Sequence, residues 1–224
     1  GMPGYSRVYY LIEGEDSLPI WQQIGRDING ESPADNFGTS ISLSEDGKIA
    51  AISAMRSDGN NGTVFESGHV SIYQIKDEGY VWTQLGSDND KETQYSSSGW
   101  IMNATSDWTQ IGRDILGEAI ADQSGYALSL STDGRTIAIG SPYNSDRDFS
   151  SGQVTVYSYD DVASSWVQQG PDITGVTRED QFGYAVATSA DGETLAIGAP
   201  AEDANKPGYV RVYSLKDRRQ IGNN

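Results

Sequence analysis

Three copies of one hairpin pattern constrain this chain more than any other feature of its sequence. The copies read FGTSISLSEDGKIAAISAM at 37–55, SGYALSLSTDGRTIAIGSP at 124–142 and FGYAVATSADGETLAIGAP at 182–200. In each copy, bulky and small residues alternate along two runs that are joined by Asp-Gly, which is typical of a β-hairpin with a tight turn. Because the second face is small rather than polar, we expect neighbouring sheets to bury both faces.

Two further strand patterns accompany the hairpins. A third-strand pattern occurs as GYSRVYY at 4–10, GHVSIYQ at 68–74, GQVTVYS at 152–158 and GYVRVYS at 208–214, with a weaker copy, GWIMNA, at 99–104. A fourth strand carries Trp-x-Gln-x-Gly and starts at Trp21, Trp82, Trp108 and Trp166, whereas the last copy has Arg218 in place of tryptophan. Recurring units of this kind predict an all-β array of four-stranded antiparallel sheets.

The chain is predicted to be one repeat array over residues 1–224, because no long linker or low-complexity segment divides it. We expect four to five units, at roughly 4–25, 26–86, 87–112, 113–170 and 171–222. The first and third of these lack the inner hairpin and are therefore truncated. A sheet without its first two strands leaves unpaired edges, which predicts either a fragment of a larger array or a homo-oligomer that completes the short units.

Charge and composition exclude several classes of function. The 224 residues include 15 basic and 32 acidic side chains, giving a net charge of -17. Nucleic acids and anionic membranes need a basic surface, so neither is an expected partner. The absence of cysteine excludes disulfides, thiol catalysis and zinc-thiolate sites. No apolar run reaches about 18 residues, so we expect no membrane insertion, and no signal peptide is visible.

The motifs at Phe182-Gly183 and Gly198-Ala199-Pro200 resemble the FG-GAP repeat, which is found in integrin alpha subunits and in many bacterial and algal surface proteins. The resemblance implies a β-propeller, or part of one, in an extracellular or cell-surface protein. It also implies a non-enzymatic adhesion or binding module with a protein or glycan ligand. Repeats of this family commonly insert a calcium loop between the first two strands. Here only short segments such as Ser-Ala-Asp-Gly-Glu occupy that place, so no calcium is expected there.

The recurring tryptophans and acidic residues each have a structural and a functional interpretation. The tryptophans are expected to fill the space between neighbouring sheets, and the alternative is a ring of sugar-stacking aromatics. Asp35, Asp122 and Asp180 each precede an inner strand by two or three residues. They are expected to bind local backbone N–H groups as Asx-type turns, and the alternative is a ligand role.

The sequence predicts no catalytic, cofactor-binding or metal site. Asn144, Asp146 and Asp148 alternate as calcium ligands do, but the loop lacks the Gly and Glu of an EF-hand, and a solvated loop is expected instead. The acidic run at Asp88, Asp90 and Glu92 is a weaker candidate. His69 is the single histidine, no Gly-x-Ser-x-Gly occurs, and a structural role is expected for it.

Two functions follow from these observations. The first is the non-enzymatic adhesion module that the FG-GAP resemblance implies. The alternative is a propeller-type carbohydrate hydrolase or lyase that uses carboxylates near the axis. Asn61-Gly-Thr63 and Asn103-Ala-Thr105 are glycosylation sequons that would matter only in a secreted eukaryotic protein.

Overall fold

The computed structural model describes residues 3–13, 18–58, 63–75, 80–84, 100–104, 107–202 and 206–222. Within these ranges all regular secondary structure is β-strand, which confirms the prediction of an all-β chain. The described part of the chain has no helix with the length and apolar character needed to cross a membrane. Contacts divide the chain into a larger unit, residues 1–6, 28–74 and 110–224, and a smaller one, residues 7–27 and 75–109.

The strands are short and follow the predicted patterns along the chain. They are β1 (Tyr5–Glu13), β2 (Pro19–Asn29), β3 (Phe37–Leu43), β4 (Ile49–Ala54), β5 (His69–Ile75), β6 (Tyr80–Gln84), β7 (Trp100–Ala104), β8 (Trp108–Gln110), β9 (Ile115–Leu116), β10 (Ala127–Leu130), β11 (Thr136–Ser141), β12 (Gln153–Asp160), β13 (Ser165–Gln168), β14 (Ile173–Thr174), β15 (Ala185–Thr188), β16 (Thr194–Ala199), β17 (Tyr209–Ser214) and β18 (Arg219–Ile221).

The strands pair in sequence order, as expected of consecutive antiparallel hairpins. One sheet runs β10–β11–β12–β13, with β14 also paired to β12, and another runs β15–β16–β17–β18. A further sheet contains β3–β4–β5, with β9 paired to β5. Both β1–β2 and β6–β7 form two-stranded sheets. Four-stranded antiparallel sheets are therefore present, and the division into five units stays a prediction.

The Asp-Gly connections are longer than the two-residue turn that the sequence suggested. Ser44 N still donates to Ile49 O at 2.9 Å, so the connection consists of residues 45–48. Its donors are met by side chains: Asp46 Oδ1 accepts from Lys48 N at 3.0 Å, and Ser44 Oγ accepts from Ile49 N at 2.9 Å. The same contacts recur around Asp133 and Asp191. The serine two positions before each aspartate is therefore part of the turn motif.

Successive sheets pack with the small face of one against the bulky face of the next. The first apolar cluster joins small-face residues of β4 and β5 to bulky-face residues of β10 and β11: Ala51, Val70, Ile72, Leu128, Leu130, Ile137 and Ile139. The second cluster repeats this arrangement one sheet later with Ala138, Val154, Val156, Phe182, Leu195, Ile197 and Ala199. These two clusters are parts of the described core, and they account for the unusual small face of the hairpins.

The last sheet departs from the expectation that both faces are buried. Its bulky face lies in the second cluster, but its small face is open, with Ala185 and Ala187 on β15 exposed and Val210 on β17 also exposed. The pattern of residues is the same as in the preceding sheet. What differs is that no described sheet follows it to cover this face.

The tryptophans of β8 and β13 occupy structural positions, as predicted. Trp166 packs against the first apolar cluster, and its Nε1 donates to Ile111 O at 3.1 Å. In the smaller unit, Trp108 Nε1 donates to Ile24 O at 3.0 Å. Each of these two indoles therefore binds the residue just before the glycine of an earlier Trp-x-Gln-x-Gly motif.

The glycine of this motif makes room for the next tryptophan. A Cβ atom at Gly112, where φ is +73°, would lie 2.9 Å from the Trp166 ring. Gly170 faces the Arg218 side chain in the same way, at 3.6 Å, so Arg218 takes the place of a tryptophan. Trp21 does not fit the prediction, because it is 69% exposed.

Candidate functional site

The larger unit contains a cleft of about 600 Å³ that is lined by several ionisable and polar side chains. Its walls come from the loop before β3, the loop after β4, the start of β5 and the segment that leads into β9. The polar side chains that line it are Glu31, Ser57, Asp58, His69, Gln110, Arg113 and Asp114. The single histidine therefore faces a cleft that is rich in carboxylates and also holds one guanidinium group.

His69 has a fixed position at the edge of this cleft. It is the first residue of β5 and pairs with Ala54 of β4 on one side and with Leu116 of β9 on the other. Only 5% of the residue is exposed. Because its backbone is held on both sides, the ring has little freedom to move away from the cleft.

Asp114 is oriented by two side-chain donors. Ser71 Oγ donates to Asp114 Oδ1 at 2.6 Å, and Gln110 Nε2 donates to the same oxygen at 2.8 Å. On the neighbouring part of β5, burial raises the pKa of Tyr73, and the charge of Asp114 adds to this effect. The wall formed by β5 is thus a network of fixed polar groups rather than a mobile surface.

Asp35 is not among the residues that line this cleft, but it interacts electrostatically with His69. Burial raises the pKa of Asp35; the nearby His69 acts in the opposite direction, and the carboxylates of Asp58 and Glu31 raise it further. The His69 side chain therefore lines the cleft with the Asp35 carboxyl group within electrostatic range.

Asp122 and Asp180, the equivalents of Asp35, make the local contacts that the sequence predicted. Asp122 Oδ2 accepts from Ala119 N at 3.1 Å. Asp180 Oδ2 accepts from Thr177 N at 2.8 Å and from Val176 N at 3.2 Å. The predicted binding of local backbone N–H groups is confirmed for these two residues, but the donors lie three or four residues before the aspartate, so the contacts are not Asx turns, in which the donor lies two residues after it.

The strands β5, β12 and β17 are equivalent in their three sheets, and each begins with a different residue. In the last sheet it is Tyr209, whose hydroxyl donates to Asp180 Oδ2 at 2.9 Å. In the middle sheet it is Gln153, which is buried and whose Oε1 has no hydrogen-bond partner. In the first sheet it is His69. Among these three residues, Tyr209 hydrogen-bonds the recurring aspartate, and His69 interacts with Asp35 electrostatically.

The alternating loop at 144–148 uses its side chains for its own folding. Asn144 is fully buried, and its Nδ2 donates to Asp122 Oδ2 at 3.0 Å while its Oδ1 accepts from Asp146 N at 3.0 Å. Asp148 Oδ1 accepts from Phe149 N at 2.8 Å. Among the residues that the structure describes, no group of three or more His, Asp or Glu side chains could hold a metal ion.

Several sequence candidates lie outside the described residues. These are Asp88, Asp90 and Glu92, the side chain of Trp82, Asn61 of the first sequon and Thr105 of the second. Arg113 and Asp114, in contrast, were missed by the sequence interpretation although a signal existed. The segment GRD that contains them also occurs at 25–27, where it likewise begins with the glycine of a Trp-x-Gln-x-Gly motif.

The alternative prediction of a carbohydrate hydrolase or lyase required carboxylates near the axis. The inner strands do not supply them. β3, β10 and β15 contain no Asp or Glu. The acidic side chains that gather in the His69 cleft come from connecting loops instead.

No protein-family model matches the sequence, and no curated protein matches it. Among solved structures, one similar chain is described as a putative 6-phosphogluconolactonase from Bacteroides uniformis, with 14% identity and a TM-score of 0.49. Another is the periplasmic gluconolactonase PpgL of Pseudomonas aeruginosa, with 16% identity and a TM-score of 0.45. Each match covers 96% of this chain but 46% and 52% of the other chains, so this chain spans about half their length.

These neighbours overturn the prediction of a non-enzymatic adhesion module. Both are described as lactonases, which agrees better with the carbohydrate-hydrolase alternative than with an integrin-like module. At such low identity and TM-score, their activity does not extend to this chain. The resemblance to FG-GAP repeats, the extracellular location and the protein or glycan ligand stay predictions.

Proposed function

We propose that this chain is part of a β-propeller hydrolase that cleaves an ester or lactone bond in an uncharged, carbohydrate-derived substrate at the His69 cleft. The observation that carries the proposal is the nearly buried His69, which lines a cleft that also holds Arg113 and which interacts electrostatically with Asp35. The propeller part rests on the repeated small-to-bulky packing of successive sheets.

The proposed reaction uses His69 as a general base. His69 removes a proton from a water molecule as the water oxygen attacks the acyl carbon. Arg113 offsets the negative charge that forms on the carbonyl oxygen. The bond from the acyl carbon to the ester or ring oxygen then breaks, and the protonated His69 returns the proton to that leaving oxygen. The products are a carboxylic acid, which ionises, and an alcohol.

The excess of acidic side chains in the cleft favours an uncharged substrate over a phosphorylated one. Glu31, Asp58 and Asp114 line it, against the single guanidinium of Arg113. A phosphorylated substrate would meet like charges at short range, which is unfavourable in a partly enclosed site. A neutral polyhydroxy compound can instead donate hydroxyl hydrogen bonds to these carboxylates. The carboxylate product is repelled, which favours its release.

Proton release from a panel of neutral sugar lactones and acetylated sugars, followed with a pH indicator in weak buffer, tests the proposal. The wild type should exceed the spontaneous rate for at least one compound, and His69→Gln should lower kcat/KM by roughly 10²–10⁴-fold. The control is Asp161→Asn, which changes an exposed residue paired with Arg135. A wild type that only matches the spontaneous rate on the whole panel, or an H69Q variant as active as the wild type, contradicts the proposal.

A further inference from the structure

A second cleft, of about 810 Å³, lies between the sheet that contains β5 and the sheet that contains β12. One of its walls is the segment 112–116, most of which also lines the His69 cleft. The other wall consists of Tyr157 on β12 and residues 163–166 at the tip of the β12–β13 hairpin. Because the two clefts share a wall, a ligand bound in one of them lies next to the other.

The hairpin that forms the second wall is longer than its equivalent in the last sheet. β12 and β13 pair two residues farther than β17 and β18 do, through Tyr159 with Trp166 and Asp160 with Ser165. The equivalent cleft at β17 and β18 has a volume of only about 260 Å³. Sites for small molecules usually have volumes of about 300–1,000 Å³. The second cleft is within this range, and its smaller equivalent is not.

Trp166 gives the second cleft an aromatic surface of fixed orientation. Its Nε1 donates to Ile111 O at 3.1 Å, and its ring centre lies 5.2 Å from that of Tyr159. These contacts leave the indole little freedom to turn, yet the residue stays partly exposed. Burial raises the pKa of the neighbouring Tyr157, so its hydroxyl is neutral. The carbon face of a sugar ring can pack against such aromatic groups while its hydroxyls meet polar ones.

Arg113 lacks the carboxylate partner that its equivalent has. In the smaller unit, Arg26 forms an ion pair of 2.6 Å with Asp107, which directly precedes the tryptophan of its motif. The residue that precedes Trp166 is Ser165, which lines the second cleft. Among the residues that the structure describes, Arg113 forms no ion pair. Its guanidinium group is therefore available to a ligand.

The junction between the last two sheets carries neither of these groups. Pro171 stands at the position of Arg113, and Arg218 stands at the position of Trp166. Of the three described junctions, this cleft is thus the one that combines an indole with an unpaired guanidinium group. The combination is a property of these particular residues and not a general consequence of the repeat.

We propose that the second cleft binds a neutral saccharide unit of the substrate, next to the unit that reacts in the His69 cleft. Trp166 packs against the carbon face of this unit, and Arg113 donates to two neighbouring hydroxyl groups. Asp114, in the same wall, balances the charge of Arg113, so the cleft does not favour an anionic sugar. Because a guanidinium group has several N–H donors, Arg113 also reaches the reacting carbonyl oxygen.

The substrate is accordingly an acylated oligosaccharide or polysaccharide rather than a single sugar lactone. This assignment rests on the proposed function, which supplies the reaction in the adjoining cleft. Binding in the second cleft is measurable without that reaction, since an unmodified oligosaccharide carries no ester or lactone bond.

Isothermal titration calorimetry with maltotetraose, cellotetraose, xylotetraose and mannotetraose tests the second cleft. The wild type should bind at least one of them with a Kd below about 1 mM. Ser165→Asp supplies Arg113 with the partner that Arg26 has and should weaken binding at least about tenfold. Ala163→Trp, which fills the cleft from its exposed wall, should also weaken it. The control is Val162→Asp, at a residue that is 98% exposed and outside the cleft, which should leave the Kd unchanged.

The outcomes separate this inference from the proposed reaction. A wild type that binds none of the four compounds, or S165D and A163W variants that bind as tightly as V162D, overturns the second cleft as a saccharide site. Tighter binding of tetragalacturonate than of the neutral compounds overturns its assignment to a neutral sugar. Tetrasaccharide binding without hydrolysis of any lactone or ester supports the site and refutes the reaction, and hydrolysis without tetrasaccharide binding does the reverse.

Discussion

Replacing Asp180 by alanine removes the centre of a small hydrogen-bond network and should destabilise the last sheet. The Asp180 carboxylate accepts from Val176 N, from Thr177 N and hydroxyl, and from the Tyr209 hydroxyl. Burial acts to raise the pKa of Asp180, but the hydrogen bonds from Thr177, Tyr209 and Val176 together hold it below its usual value. The carboxylate is therefore bound in its ionised form.

The expected loss follows from these contacts. A buried hydrogen bond to a charged group contributes about 1.5–3 kcal/mol, but Val176 and Thr177 are exposed, so water can replace part of what they lose. We therefore expect Asp180→Ala to lower the free energy of unfolding by about 2–3 kcal/mol, which corresponds to a drop in Tm of roughly 5–10 °C for a chain of this size. Urea denaturation followed by tryptophan fluorescence measures the first quantity, and a thermal melt the second.

Two controls make this measurement specific. Glu193→Ala removes the same charge from an exposed side chain and should change stability by less than about 0.5 kcal/mol. Acid should also reduce the difference in stability between the wild type and Asp180→Ala. A carboxyl group whose pKa is lowered in the folded state stabilises that state at pH values above its unfolded pKa, which is near 4. This stabilisation is lost as the pH falls through the folded-state pKa. An Asp180→Ala variant no less stable than Glu193→Ala at neutral pH would refute the role assigned to the network.

Three further substitutions test other parts of the fold. Phe182→Ala, at a fully buried site, should cost about 3–5 kcal/mol in urea denaturation, whereas exposed Phe149→Ala should cost under about 1. Ala121→Gly should raise Tm slightly, by relieving a left-handed backbone at φ +63°. Burial, helped by the hydrogen bond to Asp180, raises the pKa of Tyr209 to about 12. Wild-type stability should therefore fall between about pH 10 and 12, and Tyr209→Phe should flatten that fall; equal slopes would contradict this assignment.

Local patterns predicted the strands well because each hairpin carries its own alternation and turn residues. The positions of β10, β11, β15 and β16 follow directly from the runs around Asp-Gly. The prediction of a two-residue turn was wrong. In each copy, the hydroxyl of the serine two positions before the aspartate accepts a hydrogen bond from the first backbone N–H of the second strand. The alternation of bulky and small residues does not reveal this side-chain hydrogen bond.

The candidate site was not predictable to the same extent because it depends on contacts between distant segments. His69, Arg113 and Glu31 come from three parts of the chain, and only the folded sheet brings them to one cleft. The sequence alone gave His69 a structural role, since nothing near it in the chain suggested a partner. The exposure of the small face of the β15–β18 sheet was also not predictable from the sequence. This sheet has the same alternation of bulky and small residues as the others, yet no described sheet covers its small face.

The pairing of Gly112 with the Trp166 indole makes two neighbouring repeats interdependent. Trp166 reaches back 55 residues to bind Ile111, and Gly112 is the residue that admits it. A recombination that duplicates or exchanges a repeat must therefore carry the glycine of one unit together with the aromatic residue of the next. Breakpoints outside the segment from the glycine to that tryptophan preserve this match, because the two residues then move together. Breakpoints that separate the two leave either an empty socket or an indole without one.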